Sequence, residues 1–343
     1  LALFFTSPIG LGHATRDIAI AEELNADILF VSGHAAAELL ARRGYKTLDV
    51  YRPKQFDVES GELRHSFRWL MDYYSYYKKC KAVAGEIIGK NEGLVVSDED
   101  FASIAIAEER RRRRVIITDV TETHFTTGAA SVIEKRMNKT MQKMMRECDC
   151  VMIPDAGQDR DNVVHVGPIV RRARADRDSL RKSLGFTKKT IVLCVGGTDA
   201  GRYLIEKTVA AYREIQSRLD AELVIVSGPS FRLPDSPDYR NLGFVDNLHE
   251  MIFAADLVVS LAGKSTIDES VAYGTPGIFI PIKGHFEQEQ GAERLGYKYD
   301  DIFQLTSLME EKLGNRRGAV EAKGAERAAK IISSLSNEPI RHW

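Results

Sequence analysis

The sequence predicts an α/β protein made of two Rossmann-like, doubly wound domains. Three observations lead there. Residues 254–292, AADLVVSLAGKSTIDESVAYGTPGIFIPIKGHFEQEQGA, read as a buried strand (257–260), a glycine turn at Gly263, a helix (265–273), a second strand (277–281) and a polar loop, which is one βαβ unit. Glycine-bearing turns join a strand to a helix at Ile9-Gly10-Leu11-Gly12-His13 and again at Gly196-Gly197-Thr198-Asp199-Ala200-Gly201. The length of 343 residues, 44% of them hydrophobic, is enough to bury two cores.

The 254–292 stretch also carries chemistry. A turn at Gly263 leaves the N–H groups of Lys264, Ser265 and Thr266 at a helix start, where they suit a phosphate. Glu269, about one turn further on, is a carboxylate suited to a pair of ribose hydroxyls, and His285, Glu287 and Gln288 are of the kind that recognise sugar hydroxyls. Gly263-Lys264-Ser265 imitates the end of a P-loop, but the glycine required five residues earlier is Val258. In order, Gly263, Glu269, Gly274, Pro276, Glu287 and Gln288 resemble the donor-nucleotide signature of the GT-B glycosyltransferases, and above all of the MurG-like N-acetylglucosaminyltransferases. The resemblance implies a GT-B fold, two Rossmann-like domains facing a cleft. It also implies a UDP-sugar donor, with Glu269 on the ribose and Glu287 and Gln288 at the sugar.

Taken in order, the strand LALFFTSP (1–8) runs into the first glycine turn and the helix ATRDIAIAEEL. A dinucleotide fold would end its next strand in an acidic residue; that strand, 27–31, leads into Ser32-Gly33-His34, so an NAD ribose site is not expected. The turn resembles the Gly-x-Gly-His loop of the GT-B group, which implies that Gly12 approaches the donor and that His13 is the base for the acceptor hydroxyl. Residues 35–44 read as a short helix and 45–51 as a third strand. Segment 64–81, RHSFRWLMDYYSYYKKCK, mixes aromatic and basic residues in a way that suits a membrane interface, sugar stacking or a helix packed on the core.

Residues 93–97 read as another buried strand, followed by Asp98-Glu99-Asp100. The triplet imitates the Asp-x-Asp metal motif of other glycosyltransferases, but Asp159-Arg160-Asp161 and Asp176-Arg177-Asp178 match it equally, and helix capping explains Asp98. Asp98 also ends a parallel strand, where ligands bind, and is the second candidate for acceptor contact. The five arginines at 110–114 read as a solvated helix end or as a site for anionic lipid or phosphate. The loop TETHFTT (121–127) holds His124, which suits either substrate contact or a cap. A helix (130–148) and a strand (149–154) close the first domain, 164–170 reads as a crossover, and 171–185 as a basic linker with a short helix.

The second domain opens on an apolar strand (190–195), whose glycine turn offers a second anion-binding edge. By resemblance, Gly196, Gly197 and Thr198 lie beside the donor diphosphate, and Phe244 and Val245 flank the base. The final helix, GAERAAKIISSL, is expected to return to the first domain. The boundaries read as 1–166 for the acceptor domain, 167–325 for the donor domain and 326–343 for the returning helix.

Composition narrows the function. A net charge of −1 argues against a nucleic-acid binder. No apolar run reaches a membrane span, and LALFF lacks a basic leader region, so a cytoplasmic protein is expected. Cys80, Cys148, Cys150 and Cys194 form no CxxC pair and read as reduced thiols. The reading is a glycosyltransferase that moves N-acetylglucosamine from UDP with inversion. It uses His13, or Asp98, as base and no metal or other cofactor, and acts on a lipid-linked acceptor at the inner membrane face. The alternatives are a nucleotide-sugar 2-epimerase and a non-catalytic nucleotide-sugar binding subunit.

Overall fold

The computed structural model describes residues 1–54, 57–64, 66–126, 130–196, 199–229 and 232–337. In chain order its elements are β1 (Ala2–Thr6), α1 (Gly12–Glu22), β2 (Ile28–Ser32), α2 (His34–Arg42), β3 (Lys46–Asp49), β4 (Asp57–Glu59), β5 (Glu62–Arg64), α3 (Ser66–Lys90), β6 (Leu94–Asp98), α4 (Phe101–Glu109) and β7 (Arg114–Ile117). There follow α5 (Ala130–Arg146), β8 (Cys150–Ile153), β9 (Val163–His165), α6 (Arg177–Leu184), β10 (Lys189–Cys194), α7 (Arg202–Ile215), β11 (Ala221–Val226), β12 (Arg240–Asn241) and α8 (Leu248–Ala254). The chain ends with β13 (Leu257–Leu261), α9 (Lys264–Ala272), β14 (Gly277–Ile280), α10 (Phe286–Glu293), α11 (Leu305–Lys312) and α12 (Gly324–Asn337). These elements form two compact units, one of residues 1–55, 65–170 and 322–343, the other of 56–64 and 171–321.

The first unit is a parallel sheet in the order β3-β2-β1-β6-β7-β8-β9. Parallel strands are covered on both faces, which is why β1 and β6 are buried along their whole length. The order reverses at β1: the chain builds outward to β3 and then returns on the other side of β1 as β6. Loops leaving neighbouring strands in opposite directions open a crevice at the strands' carboxyl ends. Helix α4, apolar on all sides, is buried as such a composition requires. Its cap is Asp100, not Asp98: Asp100 accepts from the N–H groups of Ala102 (3.2 Å) and Ser103 (3.3 Å) and from the Tyr51 hydroxyl (2.9 Å). Helix α12 lies in this unit against α1 and β6.

Two segments with several readings find their places here. The aromatic segment 64–81 falls largely on α3, where Tyr76, Tyr77 and Cys80 pack into the core and Tyr76 meets the Tyr51 ring. The side chains of Phe67 and Trp69 lie outside the described set. The arginine run is not a uniformly solvated face. Arg112 donates to the carbonyls of Asn91 (3.1 Å) and Gly93 (2.9 Å), Arg113 to that of Leu335 (2.9 Å) and Arg114 to that of Arg112 (3.4 Å). These guanidinium groups satisfy backbone acceptors.

The second unit is a parallel sheet ordered β12-β11-β10-β13-β14, with its own reversal between β10 and β13. Residues 171–185 belong to this unit rather than to a linker. Asp176 caps α6, Gly185 ends it at φ 69°, and Arg177 (2.7 Å) and Arg181 (2.8 Å) both pair with Asp256. The crossover expected at 164–170 begins as an edge strand, β9, and the polar loop expected after β14 contains helix α10. The antiparallel hairpin of β4 and β5, turned through Ser60 (φ 51°) and Gly61 (φ 80°), also belongs here.

Candidate active site

The first unit places its charged residues at its switch point. β1 pairs with β6 so that Thr6 faces Asp98, and the turn after β1, made left-handed at Gly10 (φ 77°), delivers His13 to the first turn of α1. Gly12 is the first residue of that helix rather than part of the strained turn. His13 Nδ1 lies 2.9 Å from Asp98 Oδ1, and its Nε2 lies 3.7 Å from Glu99 Oε2. The two sequence candidates are therefore one unit. Asp98 is wholly buried; it accepts from Arg16 Nε (2.8 Å) and Arg16 Nη2 as well as from His13. Arg16 reaches on to Asp119 (3.1 Å).

The electrostatics follow from this packing. Burial opposes a charge on His13, but the Asp98 and Glu99 carboxylates outweigh it and push the imidazole up to about 9. Burial would raise Asp98; Arg16 and His13 reverse that and hold it well below the usual carboxylate range. Beneath them Asp17, also buried, accepts from the Thr6 hydroxyl (2.5 Å), and burial together with Asp98 holds its carboxyl well above the usual range. Glu99 stands in a left-handed backbone (φ 57°), uncommon for a residue with a side chain, and its Oε1 accepts from Thr118 Oγ1 (3.2 Å) and the Asp119 N–H (3.3 Å).

The second unit gathers its candidates at its own switch point, where β10 leads to Gly196 and β13 to Gly263. Gly196 is left-handed (φ 77°) and exposed; Gly197 and Thr198 lie outside the described residues. Gly201 is required by packing, since a Cβ there would fall 2.2 Å from Val195 Cβ. At Gly263 the backbone is ordinary (φ −77°) and a Cβ would meet nothing within 4 Å, so the tight turn expected there is not what calls for glycine. The ladder of α9 begins with the Ile267 N–H donating to the Gly263 carbonyl (3.1 Å), which puts the first-turn amides of Lys264, Ser265 and Thr266 at the positive end of the helix. Lys264 itself is turned to Asp268 (2.9 Å).

Glu269 is buried and paired with a buried arginine: Arg171 Nε and Nη2 each lie 3.3 Å from its Oε1. Arg171 Nη1 also donates to the Asp246 carbonyl (3.0 Å), just past Phe244 and Val245. One guanidinium thus joins the loop that carries Phe244 and Val245 to the helix that carries Glu269. Burial raises the Glu269 carboxyl, and Arg171 offsets part of that. On α10, Glu287 and Gln288 occupy the first turn, and Gln288 Oε1 accepts from the Ile282 N–H (3.0 Å). His285 precedes them as a buried residue whose imidazole burial pushes down to about 4, which keeps it neutral.

Residues 191–316 match the Glycosyltransferase family 28 C-terminal domain. The chain is 32% identical over 296 residues, 81% of its length and 76% of the other's, to a UDP-N-acetylglucosamine--N-acetylmuramyl-(pentapeptide) pyrophosphoryl-undecaprenol N-acetylglucosamine transferase of Clavibacter michiganensis. It belongs to the MurG-like glycosyltransferases. An uncharacterized glycosyltransferase of Methanopyrus kandleri is 27% identical over 268 residues, 70% of this chain and 75% of that one. A crystal structure of the glycotransferase of kitacinnamycin, 14% identical, superimposes with a TM-score of 0.65 over 98% of both chains, a likeness of fold, and that fold is GT-B.

For a MurG-like glycosyltransferase, the residues that sequence reasoning missed are the ones that hold its candidates in place. Arg16 was signalled: it lies three residues after His13, on the same helix face. Glu99 stood in view inside the acidic triplet. Arg171 had no distinguishing signal among the arginines of RRARADR.

Proposed function

We propose that the enzyme moves N-acetylglucosamine from UDP-N-acetylglucosamine to a hydroxyl of a lipid-linked carrier, with inversion. The observation that carries this reading is the kinship with the Clavibacter enzyme, whose name states both that sugar and an undecaprenol-linked acceptor. In the proposed step the acceptor oxygen bonds to the anomeric carbon while its proton passes to His13 Nε2. The bond to UDP breaks with its electron pair left on the diphosphate. Asp98, facing Nδ1, fixes the ring so that Nε2 takes the proton. Glu269 holds the ribose, Phe244 and Val245 flank the base, and Glu287 and Gln288 take the sugar. The first-turn amides of α9 and the loop opened by Gly196 steady the departing diphosphate, so the proposed step assigns no role to a metal.

Incubating a nucleotide-sugar panel with the protein and with lipid or soluble extracts, followed by mass spectrometry, tests the reading. The expected result is one N-acetylhexosamine added to a lipid-extract component, with UDP released only when that extract is present. Conversion of the UDP-sugar without any acceptor would instead identify an epimerase, and UDP binding without turnover a silent subunit.

A lipid-linked acceptor has to be met at a membrane. Among the described residues no helix is long and apolar enough to cross one. Helix α5 offers a surface instead: Val132 and Ile133 are exposed at its start, and Lys135, Arg136, Lys139, Lys143 and Arg146 are exposed along it. Its inner face is committed elsewhere, with Glu134 accepting from the Phe125 (2.7 Å) and Thr126 (2.9 Å) N–H groups. Each basic residue near an anionic surface contributes about 1 kcal/mol. The protein is expected to sediment with anionic vesicles at low salt and to be released at high salt, and Arg136→Ser/Lys139→Ser/Lys143→Ser, which removes about 3 kcal/mol, should bind about a hundredfold less. Equal recovery with neutral vesicles would remove α5 from this role.

A further inference from the structure

The hairpin of β4 and β5 belongs to the second unit, although the chain up to Gln55 and from His65 onward belongs to the first. Its turn suits the job of a tight tip. Two successive residues with positive φ, Ser60 and Gly61, match the twist of a two-residue hairpin. Gly61 is also fixed by its seat: a Cβ there would lie 2.9 Å from Tyr203 Cδ1 and 3.0 Å from Tyr299 Cε2. The Tyr299 hydroxyl donates to the Ser60 carbonyl (2.8 Å).

What the hairpin grips is the chain between β14 and α10. Four successive N–H groups there have four different acceptors. Ile282 donates to Gln288 Oε1 (3.0 Å), Lys283 to the Gly61 carbonyl (2.9 Å), Gly284 to Glu289 Oε1 (2.9 Å) and His285 to the Ile282 carbonyl (3.0 Å). The hairpin answers with a second backbone bond, from the Leu63 N–H to the Lys283 carbonyl (2.9 Å), and Lys283 Nζ closes on Glu62 (2.8 Å). The loop is thus held on one side by the first turn of α10 and on the other by the hairpin. Freeing the Lys283 amide and carbonyl would leave that loop tied only to the helix it is supposed to orient.

We propose that this hairpin is a positioning element for the donor sugar: by clamping Lys283 it sets where Glu287 and Gln288 stand on α10. The proposal rests on the donor reading of the second unit. Because Gln288 Oε1 is committed to Ile282, its amide N–H groups are what it offers a sugar oxygen, and their direction depends on the clamped loop. The nucleotide part of the donor, assigned to Glu269, Phe244 and Val245, does not depend on it. The hairpin therefore acts on the sugar and not on UDP.

Calorimetry with UDP and with UDP-N-acetylglucosamine, on the full chain, separates the two. Gly61→Val forces a side chain into the tyrosine seat. It is expected to leave the UDP affinity within about twofold and to weaken UDP-N-acetylglucosamine about tenfold, the effect of one or two hydrogen bonds misplaced. Tyr299→Phe, a mild change that removes one bond to the hairpin, should move the ratio the same way by about two- to threefold, and it decides the matter if Gly61→Val does not fold. An unchanged ratio of the two affinities in the folded variants overturns the proposal, as does an equal loss for both ligands, which is what a merely structural hairpin would give. Failure of the wild-type chain to bind UDP at all would overturn the donor reading first, and this inference with it.

Discussion

Replacing His13 by Ala is expected to lower kcat by about 10² to 10⁴ while leaving the affinity for UDP unchanged. The reason is geometric: Asp98 occupies Nδ1 and leaves Nε2 for the acceptor proton. The pH dependence gives a sharper test. Asp98 and Glu99 overcome the burial of His13 and hold it at about 9, above its ordinary value, so at pH 7 only about 1% is the neutral base. The rate should therefore climb about tenfold per pH unit from neutrality and level off near pH 9. Stability runs the other way. A raised folded-state value means that the protonated imidazole contributes fully below pH 6.5, and that the contribution is lost as pH rises through 9. In Asp98→Asn, burial and the nearby Arg16 charge meet less opposition, and the kinetic midpoint should move to lower pH together with a smaller plateau. Measured kcat between pH 6 and 10 decides this. A flat wild-type profile, or a loss under tenfold in His13→Ala, makes the histidine structural and turns the test to Asp98, whose Oδ1 lies against His13 Nδ1.

Much of this arrangement could be read from the sequence, and the rest could not for definite reasons. Uninterrupted apolar strands and glycine turns announce parallel sheets with ligands at their carboxyl ends, and both turns stand where each sheet reverses order. His13 and Asp98 could be named, yet only as rivals. Their contact spans 85 residues and is set by the register of β1 on β6, which no local pattern carries. That Arg16 and Asp98 pair with each other is equally invisible in one dimension, and their mutual neutralisation is what lets both be buried. Helix α10 escaped because its residues, FEQEQGAE, show no apolar stripe, and its first turn is fixed by Gln288 and Glu289 reaching back to loop amides. The hairpin escaped because its strands are three residues long and charged, and are stabilised by docking to Lys283, some 220 residues away. The arginine run misled for the opposite reason. Local composition suggested a solvated face, whereas three of the five serve carbonyls.

Glu269→Ala is expected to do two things, where the sequence alone suggested one. Loss of charge-assisted bonds to the ribose should weaken UDP by about 1.5 to 3 kcal/mol. The structure adds damage to the fold. Arg171 is buried against Glu269, and removing one member of a buried ion pair strands the other, at a cost of about 3 to 5 kcal/mol. The link from Arg171 to the Asp246 carbonyl would loosen with it, so the loop bearing Phe244 and Val245 should lose order in the same variant. The two effects separate in Glu269→Gln, which keeps an oxygen for Arg171 but not the charge. Both arginine bonds fall on Oε1, so Oε2 is the atom assigned to the ribose, and an amide places a donor or a weaker acceptor there. Thermal unfolding and calorimetry on the pair of variants should show a large drop in Tm for Ala, a smaller one for Gln, and weakened UDP binding in both. Unchanged UDP affinity in the Gln variant would sink the ribose assignment, and an unchanged Tm in the Ala variant would sink the ion pair as a structural element.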